Sequence, residues 1–297
     1  MTTVTAIILL TLFCCVSPSH AFSLLYSIDT PVHSQWGLRQ SFTSDVDKRR
    51  IQSANLNTLN DQGYVVIEDF LPLDLQDALI QDVATLRSKG EFNIAKIGQD
   101  STNALNEDIR VAETCFLGPT KLQYIPNTAR EELYQVLDQV KSDLPGPLDS
   151  SLTELLYAYY PRGGFYRRHR DAIPGSASVL RTYSLLLYLN KDWTPQDGGE
   201  LLLHLDSGGD ELPDGEEPNF VKVEPKGGTL VLFKSERIPH EVLDTNAERL
   251  AVVGWYNRPL TPSDLSSLGG VDSSLQPILL GISAALVTLG VINLVSS

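Results

Sequence analysis

Cysteine is scarce in this chain. There are three in 297 residues, and Cys14 and Cys15 adjoin in an N-terminal apolar run that reads as a removable segment. Cys115 then stands alone, which excludes an internal disulfide framework. No Asn-x-Ser/Thr sequon occurs, so nothing marks a glycosylated secretory product. Positive charge is also short: 23 Lys and Arg against 37 Asp and Glu give a net charge of −14. That balance argues against a general nucleic-acid binder, whose phosphate contacts need clustered cations. It favours solubility and could steer a basic substrate. What remains, 20% charged and 42% apolar residues, describes an ordinary folded protein with length enough for one large domain or two small ones.

The long apolar runs lie at the two ends. Val4 to Val16 is followed by Ser17-Pro-Ser-His-Ala21, with Ala21 before Phe22 as a cleavage point. This resembles the hydrophobic region of a signal peptide without its usual positive n-region. We expect a signal-like segment over 1–21 and a presequence or flexible N-terminal region over 22–60. The Ala-Phe junction also resembles the bipartite presequences of algae with complex plastids, so endomembrane (ER) and plastid addresses both stay open. Pro277 to Val295 is 19 residues without a charge. As a helix it would span about 28 Å, close to a bilayer's hydrocarbon core. The expectation is a linker over 261–274 and a C-terminal membrane anchor over 275–297. A cleaved lipid-anchor signal is the alternative, given Ser266, Ser267, Gly269 and Gly270 upstream.

Between the ends, residues 61–260 read as one domain. Gly63 opens a strand pattern, and Leu75, Leu79, Ile80, Val83 and Leu86 mark a helix from Asp74 to about Lys89. Leu133, Val136, Leu137 and Val140 mark another from Thr128 to about Lys141, ending before Pro145. From Leu155 onward seven or eight short strands follow in series with Gly, Pro and Asp at the joins. Strands after helices predict an α+β chain: a jelly-roll, or double-stranded β-helix, with N-terminal helices packed on one sheet. The acidic stretch at 206–218, DSGGDELPDGEEP, reads as a solvated insertion, with a guide for a basic substrate as the alternative.

One stretch, YYPRGGFYRRHRD (Tyr159 to Asp171), carries most of the chemistry. Strand alternation puts His169 and Asp171 on one face and Arg170 on the other. An imidazole and a carboxylate on the same face are two thirds of a facial metal triad, which leaves open positions on Fe(II). With five His and 22 Asp, about 0.4 such spacings arise by chance, so the neighbours decide. His240, just after an apolar strand, is the natural third ligand. Arg249 lies on a core strand where an unpaired guanidinium is costly. A dicarboxylate cosubstrate would pair with it bidentately, and Tyr188 could donate to the same carboxylate.

From about Gly63 to Pro259 the chain resembles the 2-oxoglutarate and Fe(II)-dependent dioxygenases of the prolyl 4-hydroxylase-like group. Seven elements fall in order: Tyr160-Pro161, Gly163-Gly164, His169-x-Asp171, Tyr188 to Trp193 (YLNKDW), Gly198-Gly199-Glu200-Leu201, Pro239-His240-Glu241-Val242, and Arg249 to Trp255. YLNKDW and PHEV also occur in the oxygen-sensing prolyl hydroxylases, but the chain looks closer to the broader microbial-type branch. The resemblance implies iron on His169, Asp171 and His240, and 2-oxoglutarate clamped by Arg249 with help from Tyr188. It implies Tyr160 beside metal and cosubstrate, with catalytic weight on Tyr160 and Arg249, and Trp255 at the floor of the site. It implies O2 as second cosubstrate, with ascorbate a further candidate cofactor. The reaction implied is hydroxylation of a substrate C–H, a prolyl residue of a protein or peptide first, coupled to conversion of 2-oxoglutarate to succinate. Asp171 favours this over halogenation, since related halogenases lack that carboxylate. Departures are Arg162, where the turn often has Gly, and the stretch IRVAETCFLG (Ile109 to Gly118), which lacks a frequent acidic residue after Arg110.

Two other readings compete: hydroxylation of a small molecule or free amino acid, and a catalytically silent jelly-roll binding module. His204 is expected to be structural because it lacks a carboxylate partner. Tyr157, Tyr159, Tyr183 and Phe233 read as core. Of the arginine cluster, Arg168 and Arg170 should point away from the metal and Arg167 should share the face of His169. The expected partners are the substrate and, through the C-terminal segment, a membrane, with no nucleic acid.

Overall fold

The computed structural model describes residues 50–97, 104–118, 122, 125–150, 154–205, 219–261 and 264. The signal-like segment, the acidic stretch 206–218 and the C-terminal apolar run lie outside the described residues. Among the described residues no helix is long and apolar enough to cross a membrane.

Among the described residues three α-helices alternate with the first strands: α1 (Ser53–Gln62), α2 (Leu73–Ser88) and α3 (Thr128–Asp143). Asn127 caps α3, its side-chain oxygen accepting from the amides of Ala129 and Arg130 at 2.9 and 3.2 Å. The stripe Leu133, Val136, Leu137 and Val140 is buried, as its spacing predicts. Helix α1 was not expected, because the domain was drawn from residue 61. Its sequence offers only Leu56 and Leu59 as apolar positions, too few for a periodic signal. It is held by tertiary contacts: Leu59 is fully buried, and the Asp143 carboxylate accepts from the Ile51 amide at 2.9 Å.

The strands are β1 (Tyr64–Ile67), β2 (Asn93–Ile94), β3 (Arg110–Val111), β4 (Glu113–Phe116), β5 (Glu154–Tyr160), β6 (Phe165–His169), β7 (Arg181–Tyr188), β8 (Leu201–His204), β9 (Phe220–Val223), β10 (Leu230–Lys234), β11 (His240–Val242) and β12 (Arg249–Asn257). They pair antiparallel into a seven-stranded sheet, β1-β10-β7-β12-β5-β4-β2, and a five-stranded sheet, β3-β6-β11-β8-β9. This is the expected α+β jelly roll.

The large sheet is covered on both faces, which is why its strands read as nearly continuous apolar runs. On β5, β7, β10 and β12 one parity (Tyr157, Leu185, Leu187, Leu232, Val252) packs with the helices. The other parity (Leu156, Ala158, Leu186, Val231, Ala251) packs with Leu201, Leu203 and Val242 of the small sheet. The second layer is the barrel interior, and the site residues lie on it.

Candidate metal centre and carboxylate clamp

His169 ends β6 and His240 begins β11, and the two are directly paired across the small sheet. Asp171 lies on the bend just after β6. One ligand atom from each of the three can be chosen so that all lie within 4.8 Å of one another. His169 Nε2 is 3.7 Å from one Asp171 oxygen, and His240 Nε2 is 3.6 Å from the other. The Nδ1 atoms face backbone carbonyls, of Arg167 at 2.9 Å and Ile238 at 3.3 Å. A carbonyl can only accept, so each Nδ1 carries the proton and each Nε2 lone pair faces the shared point.

Electrostatics hold the same protonation state. Burial, then the neighbouring His240, hold the His169 imidazole well below its ordinary value and so keep it neutral. Burial alone would raise Asp171, but His240, His169, Arg181 and the Ser184 hydroxyl outweigh it and keep the carboxylate ionised. Two neutral imidazoles and one carboxylate in facial array are the donor set of a non-haem Fe(II) site. The residues fit the ion.

The pairing of β6 with β11 slips between Val242, opposite Tyr166, and His240, opposite His169, so β6 spends one extra residue there. The irregularity turns Tyr166 and His169 to the same side, their rings stacked at 3.6 Å. It also overturns the expected placing of Arg167. That side chain lies at the surface, over Phe165 and 2.9 Å from Asp244, whereas strict alternation had put it beside His169. Arg168 and Arg170 border a cavity of about 520 Å³ at His169, together with Ile173 and Pro239.

Arg249 opens β12 opposite Tyr160. It is buried, and its Nε donates to the Gly199 carbonyl at 2.7 Å. Gly199 has φ +73°, and a Cβ there would sit 3.0 Å from Arg249 Cδ, so the Gly198-Gly199 turn exists to let carbonyl and guanidinium meet. Both Arg249 Nη groups and the Tyr188 hydroxyl are buried without a hydrogen-bond partner among the described residues. The Tyr160 and Tyr188 rings each lie 5.0 Å from the guanidinium carbon. Burial pushes the Tyr188 phenol up to about 12, although Arg249 pulls it back, so it stays a donor. Orphaned buried donors of this kind call for a carboxylate. The distal carboxylate of 2-oxoglutarate fits.

Trp255 does not belong with the clamp. It lies six residues along β12 from Arg249, about 20 Å at strand rise. It pairs with Ser184 and carries the Arg181 guanidinium 3.8 Å above its ring. Its place is at the metal end, not beneath the cosubstrate carboxylate. His204 also differs from expectation: it has a carboxylate partner, Glu241, at 3.0 Å. Glu241 alternates with His240 on β11, so this pair faces away from the metal.

Several residues escaped the sequence reading. Ser184 donates to Asp171 at 2.7 Å and bonds Ser235 at 2.8 Å. Arg181 donates to the Asp171 carbonyl at 3.2 Å and is held by Glu154. Ser184 had a usable signal: it is a polar residue with the parity of Leu186 and Tyr188, hence on the interior face. At the other end of the site, a Cβ on Gly164 would meet the carbonyls of Pro161 and Val111 at 2.8 and 2.9 Å, which accounts for the second Gly of the turn before β6.

Residues 155–257 match the 2OG-Fe(II) oxygenase superfamily. Over 201 residues the chain is 26% identical to Egl nine homolog 1 of Mus musculus, covering 67% of this chain and 47% of that protein. The chain thus spans about half the length of this relative. A Pseudomonas putida prolyl-4-hydroxylase crystal structure is 32% identical with a TM-score of 0.50, over 70% of this chain and 99% of that one. A Trichoplax adhaerens prolyl hydroxylase, solved with a hypoxia inducible factor oxygen degradation domain peptide fragment, is 26% identical with a TM-score of 0.59, over 80% and 96%.

Proposed function

We propose that this chain, which belongs to the 2OG-Fe(II) oxygenase superfamily, hydroxylates a prolyl residue of a protein or peptide. The observation that carries the oxygenase reading is the combination of an intact His169, Asp171, His240 set with a buried guanidinium whose two Nη groups have no acceptor among the described residues. A silent binding module would have no need of either. The peptide substrate is supported by the prolyl hydroxylase relatives, one of which was solved with a peptide in place.

Bound Fe(II) and 2-oxoglutarate supply the oxidising chemistry, with O2 and 2-oxoglutarate consumed and succinate and CO2 released alongside the hydroxylated product. The chain's own residues do the rest. The backbone carbonyls at the Nδ1 atoms of His169 and His240 fix the tautomer that turns both Nε2 lone pairs to the metal position, and burial together with His240 keeps His169 neutral, so no proton has to leave that ring before metal binds. Ser184 and Arg181 fix Asp171 from both sides, through its carboxylate and its carbonyl. Arg249 and Tyr188 orient the cosubstrate by its far carboxylate. The apolar walls from Leu186, Leu201, Leu203 and Val242 keep water out and raise the strength of every charge contact inside.

The test uses purified protein incubated anaerobically with Fe(II) and 2-oxoglutarate. A weak visible charge-transfer band should form, decay on oxygenation with succinate release, and be absent in His169→Ala. A proline-containing peptide should then gain one oxygen atom by mass, and its Pro→Ala counterpart should not. Folded protein that shows neither band nor succinate would overturn the reading. We also propose a membrane-associated address, endomembrane or plastid, on the strength of the apolar runs at 4–16 and 277–295. Carbonate-resistant sedimentation of the full chain with membranes, lost on deleting 275–297, is the result that supports an anchor.

A further inference from the structure

A second concavity lies next to the site, and neither the metal ligands nor the clamp uses it. It measures about 690 Å³, within the range of ligand pockets. Its wall includes Arg170, Arg181, Lys234, Arg237 and Arg258, with Glu236 as the single carboxylate among the described residues. In a chain with 23 basic and 37 acidic residues, five cations against one acid reverse the overall balance. The cations come from four separate segments: the bend after β6, the start of β7, the end of β10 with the turn beyond it, and the residue after β12.

Among the described residues this charge is only partly neutralised. Glu154 holds Arg181, and Asp264 holds Arg258 in a two-pronged pair at 2.6 and 2.7 Å. Lys234 and Arg237 have no carboxylate among the described residues. Lys234 Nζ donates to the Asn60 carbonyl at 3.0 Å, and Arg237 Nη1 to the Asp61 carbonyl at 3.4 Å. Those carbonyls close the last turn of α1, where the helix dipole supplies only about half a negative charge. These bonds aim two cations at fixed positions and leave most of their charge uncompensated. A polar atom on the same wall, the Thr182 hydroxyl, is buried with no hydrogen-bond partner among the described residues.

The cavity also adjoins the metal site. Arg170 lines it and lines the cavity of about 520 Å³ that contains His169. The two cavities therefore adjoin, with Arg170 as a wall common to both.

We propose that this basic cavity docks an acidic flank of the peptide substrate, with Asp or Glu side chains close in sequence to the hydroxylated proline paired to Lys234 and Arg237. The inference rests on the peptide-hydroxylase reading above and adds the substrate's charge to it. Electrostatic pairing at such a rim sets encounter and affinity, not the chemical step, so its signature is in KM and in salt dependence.

The test uses the full chain and four synthetic peptides, each with one central proline in an Ala/Gly background. Two carry four Asp on the N-terminal or the C-terminal side, and two carry Asn in the same places. Binding is read by fluorescence anisotropy with Fe(II) and 2-oxoglutarate under anaerobic conditions, and turnover separately by mass. One Asp peptide should bind roughly tenfold more tightly than its Asn partner at low salt, and the difference should shrink as salt is raised. The Lys234→Gln/Arg237→Gln double variant keeps donors for the two carbonyls and removes the charge. It should lose most of that preference while leaving kcat and the KM for 2-oxoglutarate unchanged. Charge reversal, Lys234→Glu/Arg237→Glu, should invert it.

Equal binding of Asp and Asn peptides, or a preference that survives the double Gln variant, would overturn the proposal. So would saturable binding of inorganic phosphate that competes with neither Asp peptide. Charge-dependent binding without oxygen gain would uphold the docking site and refute prolyl hydroxylation, whereas hydroxylation without charge dependence would do the reverse.

Discussion

Arg249→Met separates what the guanidinium does for the fold from what it does for the cosubstrate. In the protein alone, the change removes two Nη groups that are buried without acceptors among the described residues. Each such group costs about 1–3 kcal/mol, so their loss favours folding. Against this, the charged Nε bond to Gly199 goes, worth about 1.5–3 kcal/mol, and the Gly199 carbonyl is left to find another donor at about 1–3 kcal/mol. The two sides nearly cancel, and methionine retains the bulk. The expected change in stability without cosubstrate is within about 2 kcal/mol, or roughly 4–8 °C at most in Tm for a domain of this size. Cosubstrate binding behaves differently. Removing one partner of a buried charge pair costs about 2–5 kcal/mol, a factor of roughly 30 to 5,000 in Kd. The assay is thermal melting under anaerobic conditions with Mn(II) in place of iron, with and without millimolar 2-oxoglutarate. The native protein should gain several degrees from 2-oxoglutarate, by the logarithm of its saturation. Arg249→Met should melt near the native temperature without it and gain nothing with it. A variant that melts far lower without cosubstrate would show that the guanidinium is a structural element. A retained 2-oxoglutarate shift would show that the carboxylate binds elsewhere.

Three other outcomes follow from the geometry. Ser184→Ala removes the hydroxyl 2.7 Å from Asp171 and should weaken metal binding about 10–100-fold, measured by Mn(II) titration, with the circular dichroism spectrum unchanged. His169, pulled down to about 3 by burial and by His240, should show no imidazole titration by NMR between pH 8 and 5 in metal-free protein. Its folded value lies below the unfolded one near 6.5, so the unfolded chain binds the extra proton. Its contribution to stability is complete above about pH 6.5 and declines as pH falls toward 3, and a Tm that rose on acidification through this window would contradict the assignment. Asp82, buried between α2 and α3, pairs with Arg130 at 2.9 Å and accepts from Tyr157 at 3.0 Å. Asp82→Asn strands the Arg130 charge, so urea denaturation should register a loss of about 3–5 kcal/mol with cosubstrate affinity unaltered.

Much of this protein is determined by local pattern. The stripes of α2 and α3, the apolar strands after Leu155, and the ordered set from Tyr160-Pro161 to Arg249 are properties of a few neighbouring residues each, so they survive without coordinates. The order of His169, Asp171, His240 and Arg249 along such strands singles out the candidate ligands and clamp, and folding gathers the first three within 4.8 Å of one another and buries the fourth. Tertiary structure decided the matters of register and distance. Alternation could not foresee the irregularity against β11 that sends Arg167 outward and stacks Tyr166 on His169, because an inserted residue depends on the partner strand. The family resemblance placed Trp255 at the floor of the site, but only the extension of β12 shows that it sits at the metal end, away from Arg249. Helix α1 carries too little periodicity to be read and exists because the body of the domain buries Leu59. The basic cavity is the clearest case: Arg170, Lys234, Arg237 and Arg258 are spread over almost ninety residues of an acidic chain, and only folding brings their charges around one volume.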